Sequence, residues 1–502
     1  MATLRCLALA VTAVAVVSLA GRSQDAPPDP ESEVLTRGPV HEAYASAVSV
    51  QPAPGPIAPK APPAPIEELP PDEKPDGDNV QWIPGYWSWD DERSDFIWVS
   101  GFWRIPPPGR QWVPGVWHET NGQWQYTPGF WTEVEQSLVD YLPAPPPPVD
   151  SGPPTPAPGP DHLYAPGCWV YQQTRYVWRP GFWYAYRPNW IYVPAHYVWT
   201  PYGYVFVNGY WDYPLRQRGL LFAPVCFRPG IYARPAFVYR PRYVVYDDFL
   251  YGALFVRPGC GYYFGDYFDL RYTNAGYRSW FSVSIGSGGY DPLFNYYRAS
   301  NGSGWALGIN NLYVARVNNA AYRPPRTLVQ QNVVVNNITN NTTIVNNTTV
   351  VNNVKNVTAV APIANVNRAQ VASLTKVTPA QQQAAAQWAR ETREAAIRRA
   401  KLEAASAATS DGPGKPTPPA QPRSVKLELP KPPPVAAPAK LPTPPPPPIK
   451  PERPVIARPT PPVQSPTDKP PATTPPTGSA PAIKPVPPTP KPPPPSPKPE
   501  PP

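Results

Sequence analysis

Between residues 82 and 211 the chain writes one hexapeptide eight times: an aromatic residue, two spacers, a small residue, one more spacer and a second aromatic. The copies are WIPGYW at Trp82, WVSGFW at Trp98, WVPGVW at Trp112, YTPGFW at Tyr126, YAPGCW at Tyr164, WRPGFW at Trp178, YVPAHY at Tyr192 and FVNGYW at Phe206. They start 16, 14 and 14 residues apart in the first four and 14 apart throughout the second four. Low-complexity sequence keeps no such register, so this is a repeat architecture. Fourteen residues suit one long strand and a turn. Turn-forming stretches lie between copies: DDERSD at 90–95, IPPPGR at 105–110, Asn121-Gly122, and Tyr186 to Asn189. Asn-Gly between aromatic runs is a strong hairpin signal. The pattern predicts a mainly β fold, an antiparallel meander of 14-residue aromatic units.

A Pro-Gly pair inside a strand removes a ladder donor and weakens the strand, so it needs a reason. Trp82 and Trp87 are five residues apart and in a regular strand face opposite sides. One bulged residue at Pro84-Gly85 returns them to the same face, with the glycine at a positive φ.

These hexapeptides resemble the W-x-x-G-x-W repeats, also called Y-x-W-G-x-W repeats, of exported bacterial proteins. The positions that carry the resemblance, and so the candidate interaction residues, are Trp82, Gly85, Trp87, Trp98, Gly101, Trp103, Trp112, Gly115, Trp117, Gly129, Trp131, Gly167, Trp169, Trp178, Gly181, Trp183, Gly209 and Trp211. Tyr126, Tyr164 and Phe206 replace the first tryptophan, and Ala195 replaces the glycine of its copy. The resemblance covers 82–131 and 164–211. It implies an exported repeat protein and supplies no reaction.

The flanks divide by composition. Residues 1–20 carry one early cation, Arg5, an apolar run and Ser18-Leu19-Ala20, the pattern of a cleavable export signal. Residues 21–80 are a proline-rich acidic arm, expected to be unstructured. Array 1 spans 81–135, a proline-rich linker 136–162, and array 2 163–215. Residues 216–330 are aromatic and arginine-rich and read as further strands, either a third β module or the closing half of array 2. In 331–360 asparagine pairs recur every six residues, which suits stacked short strands, a self-associating segment at 332–358, or a polar linker. A linker at 361–377 leads to one short helix at 378–409, opened by Thr378-Pro379-Ala380-Gln381 and expected to be solvated or a weak oligomerisation stalk. The remainder, 410–502, is proline- and lysine-rich and suits solvated polyproline II. Cys168, Cys226 and Cys260 allow at most one disulfide within the exported chain, in any of three pairings.

Residues 1–163 hold 8 Lys and Arg against 21 Asp and Glu, whereas 164–502 hold 36 against 14. The excess of acid in the first array argues against phosphate contacts, hence against nucleic acid. No lysine lies between Lys74 and Lys355, so every cation of the aromatic region is an arginine, able to stack on rings. The motifs of hydrolases, phosphate loops and zinc sites are absent. His41, His118, His162 and His196 have no ligand spacing, and Asp266 with Asp269, or the turn at Asp90, Asp91, Glu92 and Asp95, read as turn residues. The sequence therefore predicts a non-enzymatic protein with no cofactor, metal or membrane span. Its expected location is the periplasm, cell surface or medium. It is either an envelope scaffold, contacting an envelope protein, or a module that lays aromatic rings against a polysaccharide.

Overall fold

The computed structural model describes residues 31–48, 51–77, 79–120, 122–134, 136–150, 152–285, 290–341, 357–366, 374–411, 419, 421–431, 444–448 and 454–456. The export signal, residues 342–356 of the asparagine-rich stretch and most of the tail lie outside the described residues.

Each repeat copy forms two short strands divided at its third and fourth residues, which are Pro-Gly in five copies and Ser-Gly, Pro-Ala and Asn-Gly in the copies at Trp98, Tyr192 and Phe206, and copies associate in twos. In the first hairpin Gln81–Ile83 pairs with Phe102–Arg104 and Tyr86–Asp90 with Asp95–Val99, which sets Trp82 opposite Trp103 and Trp87 opposite Trp98. The second joins Arg110–Val113 to Phe130–Glu133 and Val116–Thr120 to Gln123–Thr127. The third joins His162–Ala165 to Phe182–Ala185 and Cys168–Gln173 to Arg175–Arg179. The fourth joins Ile191–Val193 to Tyr210–Asp212 and His196–Thr200 to Gly203–Val207. The first aromatic of each copy thus meets the second aromatic of its partner. All eight ring pairs have centroids 5.1–5.5 Å apart. Tilted and edge-on contacts of this kind add about 0.5–1.5 kcal/mol each beyond area burial.

Neither strand carries the expected bulge. Five residues separate the Trp82–Trp103 pair from the Trp87–Trp98 pair on both strands, so no residue is extra and the Pro-Gly steps interrupt the two strands together. The repeat glycines are not among the residues with positive φ. The step also splits the rings rather than gathering them: Trp82 and Trp103 enter one buried cluster, Trp87 and Trp98 another.

Nor is there one continuous meander. Among the described residues no strand of one hairpin pairs with a strand of another. Other segments cover the edges instead: Val225–Phe227 with Ser32–Val34 beside the first hairpin, Ile57–Ala58 beside the second, Leu138–Leu142 beside the fourth. Covered edges leave fewer unpaired ladder groups to template association.

The acidic arm at 21–80, expected to carry no structure, is packed from residue 31 onward. Val40, Ala43, Tyr44, Ala45 and Val48 are too few to form a core of their own, but they complete one with Ile83, Phe102, Trp112 and Phe130 of the hairpins. Residues 216–330, expected to be strands, are mixed: Leu254–Arg257 pairs with Gly261–Phe264, and helices occupy Pro292–Asn301 and Ser303–Asn318. The asparagine-rich stretch, for which the sequence leaves open stacked strands, a self-associating segment or a polar linker, enters from a helix at Leu328–Asn341, and its residues 342–356 lie outside the described residues.

The long helix Pro379–Asp411 opens on a reciprocal cap, in which Thr378 N donates to Gln381 Oε1 at 2.9 Å and Gln381 N to Thr378 Oγ1 at 3.3 Å. It is not a solvated stalk. Ala385, Ala389, Thr392, Ala396, Arg399 and Glu403, a stripe at helical spacing, are all buried. Arg399 and Glu403 pair at 2.8 Å, Arg399 also donates to Pro114 O at 2.9 Å, and Glu403 lies 3.1 Å from His118 Nε2 and accepts from the Tyr141 hydroxyl. No disulfide joins any two of Cys168, Cys226 and Cys260, and Cys168 Sγ accepts from Arg179 at 3.1 Å. No helix among the described residues is long and apolar enough to cross a membrane.

Candidate functional site

Where the glycine steps of two paired copies face each other, the strands stop bonding and their amides need other partners. Gly85 and Gly101 sit back to back there. A Cβ on Gly85 would stand 2.4 Å from the Val99 carbonyl oxygen and 2.8 Å from Gly101 N. The freed amides bind a carboxylate. Gly85 N donates to Glu68 Oε2 at 2.8 Å, and Gly101 N and Trp98 Nε1 donate to Oε1 at 2.9 and 3.0 Å. Glu68 is fully buried, and burial pushes its carboxyl above its ordinary range while the three donors pull it back.

The second hairpin repeats the device with Glu42, which accepts from Gly115 N at 3.3 Å, from the Tyr126 hydroxyl at 2.8 Å and from Gly129 N. In the third, Asp150 Oδ2 accepts from Gly167 N at 2.9 Å and the Tyr164 hydroxyl at 2.5 Å. The fourth hairpin, with Ala195 in place of a glycine, is different: Gly209 N turns to its neighbour Asn208 Oδ1 at 3.1 Å. What the repeat glycines share is the close approach of a ring or of the facing backbone to the Cα, not an unusual φ.

The sequence-predicted residues are therefore brought together hairpin by hairpin. Gly85 meets Gly101, and Gly115 and Gly129 both reach Glu42. Gly167 would bring a Cβ within 2.9 Å of Gly181 N. Trp82, Trp87, Trp98, Trp103, Trp112, Trp131 and Trp211 are buried, while Trp117, Trp169, Trp178 and Trp183 are half-buried, so the tryptophans do not make one open platform.

A cavity of about 700 Å³ lies between the first two hairpins, arm residues Pro62 to Pro65 and the long helix, with Trp87, Trp117, Trp124, Tyr126 and Ile397 in its walls. The indoles of Trp87 and Trp117 already donate, to Ala64 O at 3.0 Å and to Trp87 O at 2.9 Å. Array 2 repeats the second contact: Tyr197, in the place of Trp117, donates to Trp169 O at 2.9 Å.

A family model described as the WXXGXW repeat (2 copies) matches residues 77–104, 159–183 and 187–212, each of them one paired hairpin of the structure. The chain carries WXXGXW repeats. The second hairpin, at 110–133, lies outside the match yet has the same pairing and a filled socket. Neither the curated proteins nor the solved structures contain a match.

The sequence reading missed the carboxylates that fill the WXXGXW sockets. Two of them carried a signal, an acid closing a proline-rich run, in APIEE at 64–68 and PPPVD at 146–150. Glu42 carried none. The residues weighed for catalysis have structural partners. Asp269 caps the helix Leu270–Asn274 and pairs with Arg323 at 3.1 Å, and Glu92 of the acidic turn is held by Arg37, Arg326 and Tyr272. His41 is buried against Pro84 O, and burial pushes it down to about 3.

Burial pushes Glu42 in the second WXXGXW hairpin up to about 7 from 4.5, against the pull of Gly129, Tyr126, Gly115 and the Arg399 charge. A carboxyl raised on folding contributes stability in full below its unfolded value and loses it as pH rises through the folded one. Glu42→Gln keeps an acceptor and removes the titration. The melting-temperature advantage of the parent over Glu42→Gln is expected to shrink between pH 4.5 and pH 7, and an advantage that does not change over that window rules this titration out.

Proposed function

We propose that the chain is a non-catalytic, exported interaction scaffold of the bacterial envelope, built on WXXGXW hairpins whose rings and glycine amides hold proline-rich acidic segments. The observation that carries this reading is the filling of three sockets by Glu42, Glu68 and Asp150, each from a segment outside the hairpin it enters. Indole donors follow the same rule. Trp87 bonds Ala64 O, Trp169 bonds Pro147 O, and Trp211 bonds Pro446 O at 3.3 Å.

Fractionation of cells tests the reading. The chain is expected in the envelope fraction, with residues 1–20 removed, and to stay there after polysaccharide is digested. Recovery of the unprocessed chain in the cytoplasm overturns it.

A second reading, polysaccharide binding, is favoured by the 700 Å³ cavity and its ring-bearing walls. It requires retention on purified cell-wall or exopolysaccharide that falls at least tenfold in Trp124→Ala. Under the scaffold reading that substitution leaves envelope retention unchanged.

A further inference from the structure

Two proline-rich stretches of the chain read alike: Ala61-Pro62-Pro63-Ala64-Pro65-Ile66-Glu67-Glu68 and Ala144-Pro145-Pro146-Pro147-Pro148-Val149-Asp150. They dock on equivalent atoms of two different hairpins. In each, the fourth residue offers its carbonyl to the tryptophan that ends an odd-numbered copy: Trp87 Nε1 donates to Ala64 O at 3.0 Å, and Trp169 Nε1 to Pro147 O at 2.9 Å. In each, a closing carboxylate accepts from the glycine two residues before that tryptophan: Gly85 N to Glu68 at 2.8 Å, Gly167 N to Asp150 at 2.9 Å. An indole donor on a carbonyl of a polyproline run is a peptide-reading arrangement, because such a run arrives already extended and loses little entropy on binding. The glycine socket adds selection for an acid.

The two complexes differ in depth. At the first hairpin Ile66 and Glu68 are buried, and the carboxylate has three donors. At the third, Val149 is 64% exposed, Asp150 meets Gly167 and Tyr164, and Trp169, Trp178 and Trp183 stay half-buried. The linker there covers its rings thinly, and the fuller contacts of 61–68 show what a longer acidic ending adds.

We propose that the third hairpin is a docking site for a partner's proline-rich peptide of the pattern Ala-Pro-Pro-x-Pro-(Ile/Val) closed by an acid one or two residues on, and that residues 144–150 occupy it in cis until such a peptide displaces them. This rests on the scaffold reading and names the ligand class of one of its hairpins.

The test is fluorescence anisotropy with the full-length processed chain and a labelled peptide APPAPIEE, with APPAPIQQ as control. Saturable binding is expected, at least tenfold weaker for the amide peptide. Asp150→Asn, which loosens the linker, is expected to tighten binding at least threefold. Gly167→Val is expected to abolish it, and Trp169→Phe, which keeps a ring and removes the indole donor, to weaken it at least threefold should the valine variant not fold. Absence of binding, equal binding of the two peptides, or an affinity unmoved by Asp150→Asn overturns the proposal. Envelope fractionation does not involve this peptide, so a failure here leaves the scaffold reading to its own test.

Discussion

Gly85→Ala is expected to lower the stability of the fold by about 3 kcal/mol, from overpacking and from weakened bonds to a buried carboxylate. The added methyl meets Val99 O at 2.4 Å and Gly101 N at 2.8 Å, backbone atoms that cannot swing aside as a side chain would. Parting the strands to admit it lengthens the two amide bonds to Glu68, which has no water to turn to. Gly308→Ala, inside the helix Ser303–Asn318 with nothing within 4 Å of the new atom, is expected to raise stability by about 0.5–1 kcal/mol through helix propensity. Denaturant titration of both variants checks the contrast, and equal midpoints refute the close approach. Gly115→Val meets side chains instead, with its Cβ 2.1 Å from the Tyr126 hydroxyl and 2.6 Å from Glu42 Oε1, and is expected to destabilise by displacing that buried pair, whereas Val116→Thr in the adjoining strand is expected to be nearly neutral.

Glu403→Ala is expected to cost about 3–5 kcal/mol, because it leaves the Arg399 guanidinium buried without its carboxylate. Arg399 is 1% exposed and keeps only neutral partners, Pro114 O and the Tyr141 hydroxyl, among the described residues. Relief by lifting the helix would expose Arg393 to trypsin and Trp388 to solvent, so faster tryptic cleavage and a red-shifted emission are the readouts. The double variant Arg399→Met/Glu403→Leu is expected to recover most of the loss. A double variant no more stable than the single one refutes the ion-pair account. Arg399, His118 and Tyr141 hold Glu403 down to about 2 against the opposing effect of burial. A depressed carboxyl contributes stability above its unfolded value and loses it as pH falls through the folded one, so the helix is expected to stay docked at pH 4 in the parent.

The strand-rich antiparallel character was legible because a register of 14 and turn residues such as Asn121-Gly122 act locally, while the cross-strand ring pairs were not read from it. Nor was the grouping of copies. The 14-residue step from Trp112 to Tyr126 spans a hairpin turn, while the equal step from Trp98 to Trp112 spans two strands that do not pair with each other, so one spacing conceals two connections. The bulge was misread because a glycine admits two explanations, backbone freedom or close approach, and only neighbours distant in sequence distinguish them. Glu68 stands 17 residues before Gly85 and 33 before Gly101, and Glu42 73 before Gly115, beyond any local pattern. The arm failed as a compositional judgement for the same reason: a segment poor in apolar residues packs when a core elsewhere lacks a side.

Because the sockets of Glu68 and Glu42 each take one glycine from each of two copies and every ring has its counterpart on the other strand, a single copy is chemically incomplete. A chain that gained 14 residues would present a half-socket and two rings without counterparts, whereas a gain of the 28 residues that separate Tyr164 from Tyr192 adds a closed hairpin. Growth and loss of such arrays by tandem duplication are thus confined to even steps, and parity, rather than the number of motifs, sets which lengths survive.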